Sequence, residues 1–147
     1  MQTSPSTRRR LATWFALTLG GAMLQGCAEK PAPQGPQPRL FSTDFQGAAK
    51  NCTAPKPTLT PGKEAAATLK LGNDGGWCAI SVSNDGAPYA AGLLTRSPEH
   101  GDVYIHPVGN DTRIDYTPDR GYRGSDAFVV KLLPGSPSLS VAVTVTP

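Results

Sequence analysis

The sequence has few of the residues that build metal and redox centres. It contains two histidines, His100 and His106, and both methionines lie within the first 23 residues. There is no third histidine, and removal of the N-terminal segment by processing leaves no methionine and no free cysteine, so a zinc or copper site lacks ligands. No Cys-x-x-Cys spacing and no βαβ pattern occur, which argues against a redox-active cysteine pair.

The usual signs of an enzyme are also missing. No Gly-x-Ser-x-Gly elbow is present, and no catalytic set is marked by its spacing. The sequence therefore predicts a protein that is not an enzyme. The alternative is a small periplasmic metal-binding protein or hydrolase that uses His100 and His106, whose spacing of six places both on one face of a straight strand.

No apolar run is long enough to be a comfortable membrane-spanning helix. The longest, residues 11–23, follows three arginines and precedes residues 24–27, which read Leu-Gln-Gly-Cys. A basic head, a short apolar run and small residues before a cleavage point are the parts of a secretory signal peptide. We expect residues 1–26 to be removed; an uncleaved anchor helix with an incidental cysteine is the alternative.

Residues 24–27 resemble the lipobox of bacterial lipoproteins. The resemblance implies diacylglyceryl transfer to the Cys27 thiol, cleavage before it, and acylation of the new amino group by palmitate-like chains. Two or three acyl chains suffice for stable anchoring. Ala28 follows the expected lipidated cysteine. In enteric bacteria an Asp at this position retains a lipoprotein in the inner membrane, so the expected location in a Gram-negative cell is the outer membrane, on its periplasmic face or surface.

Removing residues 1–26 leaves a chain without net charge. Three of the 14 basic residues and none of the 11 acidic residues lie in that segment, so 11 of each remain. Nucleic-acid binding depends on a surplus of Lys and Arg to neutralise phosphates. We therefore expect no nucleic-acid partner.

Two cysteines, Cys52 and Cys78, remain once Cys27 is acylated. In an oxidising compartment they are expected to form a disulfide. This bond closes a loop of about 25 residues and contributes roughly 3 kcal/mol to the free energy of unfolding by chain entropy.

The mature chain divides into a tether, residues 27–51, and a domain, residues 52–147. Four prolines between residues 31 and 38 favour an extended, semi-rigid polyproline-II tether. Three large apolar residues follow that either dock on the domain or remain loose: Leu40, Phe41 and Phe45.

Apolar and polar residues alternate along the domain with the period of half-buried strands, and no helical stripe is present. The alternation predicts inward rows at Ala67, Leu69 and Leu71; Cys78, Ile80 and Val82; Val103 and Ile105; Ile114 and Tyr116; Phe128, Val130 and Leu132; and Leu139, Val141, Val143 and Val145. Residues 89–94 are a further candidate strand. Tyr116 and Phe128 are expected on neighbouring strands. The fold predicted is all-β, a single antiparallel sandwich of about seven strands.

Residues 100–147 carry motifs at short, ordered intervals. They are His-Gly-Asp-Val at 100–103, Tyr-Thr-Pro at 116–118, Gly-Tyr-Arg-Gly-Ser-Asp-Ala-Phe at 121–128, and an alternating Val/Thr strand at 141–146. This series resembles the bacterial immunoglobulin-like and cadherin-like repeats of surface proteins. The resemblance implies an immunoglobulin-like sandwich, a role in adhesion, and calcium at loop carboxylates.

The loop carboxylates form no dense Asp-x-Asp-x-Asp run of the kind that builds a calcium loop. Each is more simply explained as a turn former, and Asp126 is placed to accept backbone N–H bonds at its corner. We expect no cofactor, with calcium as the alternative. The carboxylates concerned are Asp74, Asp85, Asp111, Asp119 and Asp126.

Two aromatic residues are candidate contacts for a partner. Tyr104 alternates outward on its strand, and Trp77 faces opposite Cys78. Together these features predict a non-catalytic, lipid-anchored envelope module that binds or scaffolds a protein or a cell-wall or glycan partner. An accessory lipoprotein that stabilises a larger envelope complex is a further alternative.

Overall fold

The computed structural model describes residues 40–147. The expected signal peptide, the expected lipidation site Cys27 and the proline-rich part of the tether lie outside the described residues. No helix within residues 40–147 has the length and apolar character needed to cross a membrane. The elements are a 3-10 helix, Ser42–Phe45, and eight strands: β1 Cys52–Thr53, β2 Glu64–Gly72, β3 Cys78–Val82, β4 Ala91–Arg96, β5 Gly101–Val108, β6 Asp111–Pro118, β7 Gly124–Leu133 and β8 Ser138–Thr146.

These strands form two sheets that pack into a sandwich. The larger sheet has the order β1-β2-β8-β7-β4, and the smaller sheet has the order β3-β6-β5. The predicted all-β sandwich is confirmed. Eight strands are present where about seven were predicted, and one of them, β1, is only two residues long.

The sandwich is predominantly antiparallel, as predicted, and one pair of its strands is parallel. β2 pairs with β8 from Glu64 opposite Ser138 to Gly72 opposite Thr146. The other strand pairs of the two sheets are antiparallel. An alternating pattern shows which face of a sheet a residue takes, but it does not reveal the direction of the neighbouring strand.

The predicted inward rows fill the space between the sheets. On β2, β3, β7 and β8 the apolar residues of each row are buried. Val103 and Ile105 are only half-buried, because β5 lies at the edge of its sheet. Burying one large aliphatic side chain is worth about 1.5–3 kcal/mol, so these rows account for most of the driving force for packing.

Tyr116 and Phe128 stack across the core. Their ring centroids are 5.9 Å apart and the planes differ by 7°. The expectation that they lie on neighbouring strands was wrong, because β6 and β7 belong to different sheets. Gly101 on β5 makes room for the tyrosine, since a Cβ at this position would lie 2.8 Å from the Tyr116 ring.

Cys52 and Cys78 form the predicted disulfide, with 5.4 Å between their Cα atoms. The bond joins β1 at the edge of the larger sheet to the first residue of β3 in the smaller sheet. Cys78 is fully buried, as its place in an inward row predicted, whereas Cys52 is exposed.

Candidate functional site

The outer face of the three-stranded sheet carries a group of polar and aromatic side chains. In the antiparallel register, Tyr104 on β5 lies opposite Asp115 on β6, and His106 lies opposite Arg113. Residues directly opposite each other in such a pair have their side chains on the same face. The register therefore places these four side chains together, on the side away from the core.

Arg113 and Asp115 form a buried ion pair on this face. The Nε and Nη2 atoms of Arg113 donate to the two carboxylate oxygens of Asp115 at 2.8 and 3.0 Å. Only 8% of Arg113 and 6% of Asp115 is exposed. Two parallel N–H···O bonds fix both distance and orientation, so the two side chains are held in one geometry.

His106 extends this pair toward the edge of the sheet. Its Nε2 atom lies 3.1 Å from an Asp115 carboxylate oxygen, and its side chain is 21% exposed. We name His106, Arg113 and Asp115 the polar cluster. Within it, one carboxylate holds both a guanidinium and an imidazole, so the imidazole ring has little freedom to turn.

Trp77 lies against the other side of the polar cluster. The Arg113 guanidinium carbon is 4.1 Å from the centroid of the Trp77 ring, a cation–π contact. The indole N–H donates to the carbonyl oxygen of Gln46 at 2.9 Å. Trp77 faces opposite Cys78, as predicted, but it is half-buried and its ring contacts Arg113 and the segment around Gln46.

Residues 40–50, here named the cover segment, dock on this face through their backbone. Arg113 Nη1 donates to the Asp44 carbonyl oxygen. The Trp77 N–H donates to the Gly47 carbonyl at 3.0 Å, and the Ala49 N–H donates to the Trp77 carbonyl at 2.8 Å. The segment thus docks through its backbone, whereas the side chains of Leu40, Phe41 and Phe45, which the sequence allowed either to dock or to remain loose, stay exposed. This cover explains why two charged residues on an outer face are buried.

A glycine beside Trp77 permits the close approach of the cover segment. A Cβ at Gly76 would lie 2.4 Å from the Ala49 backbone nitrogen, well inside contact distance. Any larger residue at position 76 therefore forces the two backbones apart.

Tyr104 is the most exposed aromatic side chain on this face. Its exposed fraction is 64%, and its ring centroid lies 4.5 Å from that of His106 at an interplanar angle of 31°. The Tyr104 ring contacts His106, and His106 in turn contacts the Asp115 carboxylate of the buried ion pair. The exposed Tyr104 ring is therefore connected to the buried pair through His106.

A second polar group lies at the corner between β6 and β7, around Asp126. One carboxylate oxygen accepts N–H bonds from Glu99 and Ala127, and the other accepts from His100 and from the Tyr116 hydroxyl. Burial raises the pKa of Asp126, but these hydrogen bonds outweigh it and hold the pKa below its usual value. The role predicted for Asp126 as an acceptor of backbone N–H bonds is confirmed.

The Tyr116 hydroxyl completes this corner. It donates to Asp126 at 2.9 Å and lies 3.1 Å from the His100 carbonyl oxygen. Burial is the main reason that the pKa of Tyr116 is raised far above its ordinary value, and the nearby Asp126 carboxylate adds to the effect. The His100 carbonyl and the Asp126 carboxylate can only accept hydrogen bonds, so the Tyr116 hydroxyl must keep its proton to bond them. We therefore assign Tyr116 a structural role.

The two histidines have separate surroundings. His100 stacks on Tyr122 with a centroid distance of 4.1 Å, whereas His106 contacts Asp115 and Tyr104. His106 lines a small cavity of about 90 Å³ next to Tyr89. Small-molecule sites usually enclose about 300–1,000 Å³, so this cavity is too small for a typical substrate.

The loop carboxylates do not converge. Within residues 40–147, no three side chains of the His, Cys, Asp and Glu types come close enough to share a metal ion. Asp74 accepts N–H bonds from Lys50 at 3.0 Å and Gly76 at 3.1 Å, and these bonds lower its pKa. Asp85 lies in a tight turn with a φ of 52°, as expected for a turn former.

The polar cluster is the part of the site that the sequence did not reveal. Arg113 and Asp115 alternate with buried residues of β6, a position that normally faces solvent.

A comparison of the chain with known protein families found no match, and neither did a comparison with curated proteins.

Proposed function

We propose that the protein is a non-catalytic, lipid-anchored module of the bacterial envelope that binds or scaffolds a protein, cell-wall or glycan partner. The lipobox-like segment ending at Cys27 supplies the anchor. The β-sandwich, with its immunoglobulin-like motifs, supplies the binding domain. Tyr104, on the outer face of the three-stranded sheet, is the residue that we place at the contact.

The single observation that carries the proposal is that Tyr104 is largely exposed and packs on His106. Its side chain is 64% exposed and rests on His106, whose other side is held by buried Asp115. An aromatic side chain has few rotatable bonds and so loses little conformational entropy on binding, and its flat surface suits either a sugar ring or an apolar protein surface.

The surroundings of the histidines favour a binding role over the alternative of a hydrolase or metalloprotein. The His106 ring is engaged by Asp115, and the cavity beside it has a volume of about 90 Å³. His100 packs on Tyr122. Neither arrangement holds a nucleophile against a base in the way that hydrolytic chemistry needs.

The anchor is tested by metabolic labelling. Cells that express the full chain are grown with a fatty-acid analogue that can be detected on protein, and the membrane and soluble fractions are separated. We expect the wild type to carry the label and to be found in the membrane fraction. Cys27→Ser is expected to carry no label and to lack the anchoring that depends on acylation. A wild-type protein without label contradicts the proposed anchor.

The binding surface is tested by co-purification from detergent-solubilised envelopes. Tyr104→Ala removes the exposed ring, and Thr144→Ala alters the exposed outer face of the other sheet at β8. We expect proteins or muropeptides that co-purify with the wild type to be lost in Tyr104→Ala and retained in Thr144→Ala. Equal recovery with both variants contradicts a contact at Tyr104.

A further inference from the structure

Three large apolar side chains stand exposed at the start of the described chain. Leu40, Phe41 and Phe45 are 56%, 60% and 63% exposed. They lie within six consecutive residues, and we name them the apolar patch. Single exposed apolar residues are ordinary on protein surfaces, but three large ones within six residues form a concentrated apolar surface, which is typical of an interaction site.

The backbone around the apolar patch is held in place. The Asp44 N–H donates to the Phe41 carbonyl at 2.9 Å, and the Phe41 N–H donates to the Asp44 carboxylate at 2.7 Å. Arg113 donates to the Asp44 carbonyl, and Trp77 donates to Gln46. The segment that carries the patch is therefore attached to the sandwich through the carbonyl groups of Asp44 and Gln46, while the three apolar side chains stay exposed.

The core offers no alternative place for these side chains. The inward rows of both sheets already fill the interior with residues that are fully buried. Turning the two phenylalanines inward also breaks the bonds that join the cover segment to Trp77 and Arg113. Their exposure is thus a consequence of how the segment is docked.

The position of the apolar patch along the chain indicates what covers it. Twelve residues separate Cys27 from Leu40. At about 3.1 Å per residue, the rise of an extended proline-rich chain, that length corresponds to a distance of about 40 Å between anchor and patch. A short tether keeps a surface at high effective concentration near the membrane that it is attached to.

We infer that Leu40, Phe41 and Phe45 insert into the interfacial region of the phospholipid membrane that carries the acyl chains of Cys27. This inference rests on the proposed anchoring at Cys27. Leucine and phenylalanine are suited to the boundary between headgroups and acyl chains, where apolar surface is buried to a depth of about 5–10 Å. The patch gives the domain a fixed orientation on the membrane.

The charges near the apolar patch point to apolar insertion rather than to attraction by anionic lipid. Between the anchor and the end of the cover segment the chain carries two acidic residues, Glu29 and Asp44, and three basic residues, Lys30, Arg39 and Lys50, so no basic cluster adjoins the patch. The mature chain as a whole is also balanced. Contact with the membrane is therefore expected to persist at high salt and on vesicles of neutral phosphatidylcholine, since screening weakens only electrostatic attraction.

The test uses the acylated mature protein in vesicles of brominated phosphatidylcholine, whose bromine atoms quench tryptophan within the acyl region. Trp14 lies in the expected signal peptide, so Trp77 is the only native tryptophan of the mature chain and sets the baseline. Phe41→Trp and Phe45→Trp place a probe in the patch. Leu93→Trp is the matched control, because Leu93 is a 49%-exposed apolar residue on β4 of the other sheet.

We expect brominated lipid to quench the emission of Phe41→Trp and Phe45→Trp well beyond the wild-type baseline, with a blue shift of their emission maxima. The emission of Leu93→Trp is expected to change no more than that of the wild type. The quenching is expected to survive high salt. Equal quenching of all three variants, no quenching at the patch, or its loss at high salt overturns the inference.

Two readouts separate a failure of this inference from a failure of the proposed function. The mass of the purified mature chain reports whether Cys27 is acylated, and near-ultraviolet circular dichroism reports whether each variant is folded. Acylated, folded variants whose patch tryptophans are not quenched overturn the membrane contact and leave the anchor in place. A chain without acyl mass overturns the anchor itself.

Discussion

Arg113 and Asp115, two residues apart on β6, hold each other in a two-point ion pair with N···O distances of 2.8 and 3.0 Å. The pair lies on the outer face of a three-stranded sheet and is nevertheless almost completely buried. Its burial comes from the cover segment and from Trp77. Asp115 contacts His106, which contacts Tyr104, so the pair links the packing of the fold to the proposed binding surface.

Asp115→Asn is expected to destabilise the protein strongly. The substitution leaves the Arg113 guanidinium buried without its charge partner, a situation that costs about 3 kcal/mol in comparable buried pairs. Asp102→Asn is the matched control, because Asp102 is an exposed carboxylate of the neighbouring strand β5. Urea unfolding measures both. A loss for Asp115→Asn no larger than that for Asp102→Asn contradicts the role of the pair.

Trp77→Phe is expected to loosen the cover segment without unfolding the sandwich. The substitution removes the hydrogen bond to Gln46 and keeps an aromatic ring near Arg113, so the expected loss in the free energy of unfolding is about 1 kcal/mol. Hydrogen exchange at the Ala49 amide, which is bonded to the Trp77 carbonyl, is expected to become faster. Tyr104→Phe is the control, and unchanged exchange in Trp77→Phe counts against the docking contact.

The disulfide is expected to contribute roughly 3 kcal/mol to stability, because its ends are 26 residues apart and it restricts the unfolded chain. Replacing both Cys52 and Cys78 with Ser removes this contribution. Denaturant midpoints with and without a reducing agent provide the measurement. The wild type is expected to lose stability on reduction, and the double variant to be unaffected by the reducing agent. Equal midpoints for oxidised and reduced wild type would refute the contribution.

Asp126 is expected to make the protein sensitive to acid. Its pKa is lower in the folded state than in the unfolded chain, so its contribution is fully present above the ordinary carboxyl pKa and is lost as the pH falls through the folded value. At neutral pH, Asp126→Asn is expected to cost about 1–3 kcal/mol, since it weakens the bonds from Tyr116 and from the backbone.

The same variant carries the pH test. Between neutral pH and strong acid, the melting temperature of Asp126→Asn is expected to fall less than that of the wild type, because one group with a lowered pKa has been removed. Asp102→Asn is expected to follow the wild-type curve in shape. Parallel curves for the wild type and Asp126→Asn would show that this carboxylate does not titrate with folding.

Much of the sandwich could be predicted from the period-two pattern alone. The inward rows on β2, β3, β7 and β8 were identified because each face of these strands has a single environment, either core or solvent. The disulfide also followed from the cysteine count and from the compartment that the signal-peptide-like segment predicts. The parallel pairing of β2 with β8 could not be predicted, since direction depends on how distant segments meet rather than on which residues alternate.

The polar cluster escaped prediction for a related reason. Alternation assigns Arg113 and Asp115 to solvent, and on an uncovered sheet they would be exposed. Their burial comes from residues 40–50, more than 60 positions earlier in the chain, and from Trp77. The sequence left the docking of this segment open, because its largest apolar residues do not enter the core and its contacts are made by backbone atoms.

Photo-cross-linking in intact cells is the decisive test of whether Tyr104 presents a binding surface in the cell envelope. A photoreactive residue is placed at position 104, and a second protein carries it at Thr144 on the outer face of the other sheet. We expect a reproducible protein or muropeptide adduct from position 104 that is absent from position 144. Only lipid and background adducts at both positions, with Cys27 acylated, would show that Tyr104 is not a binding surface.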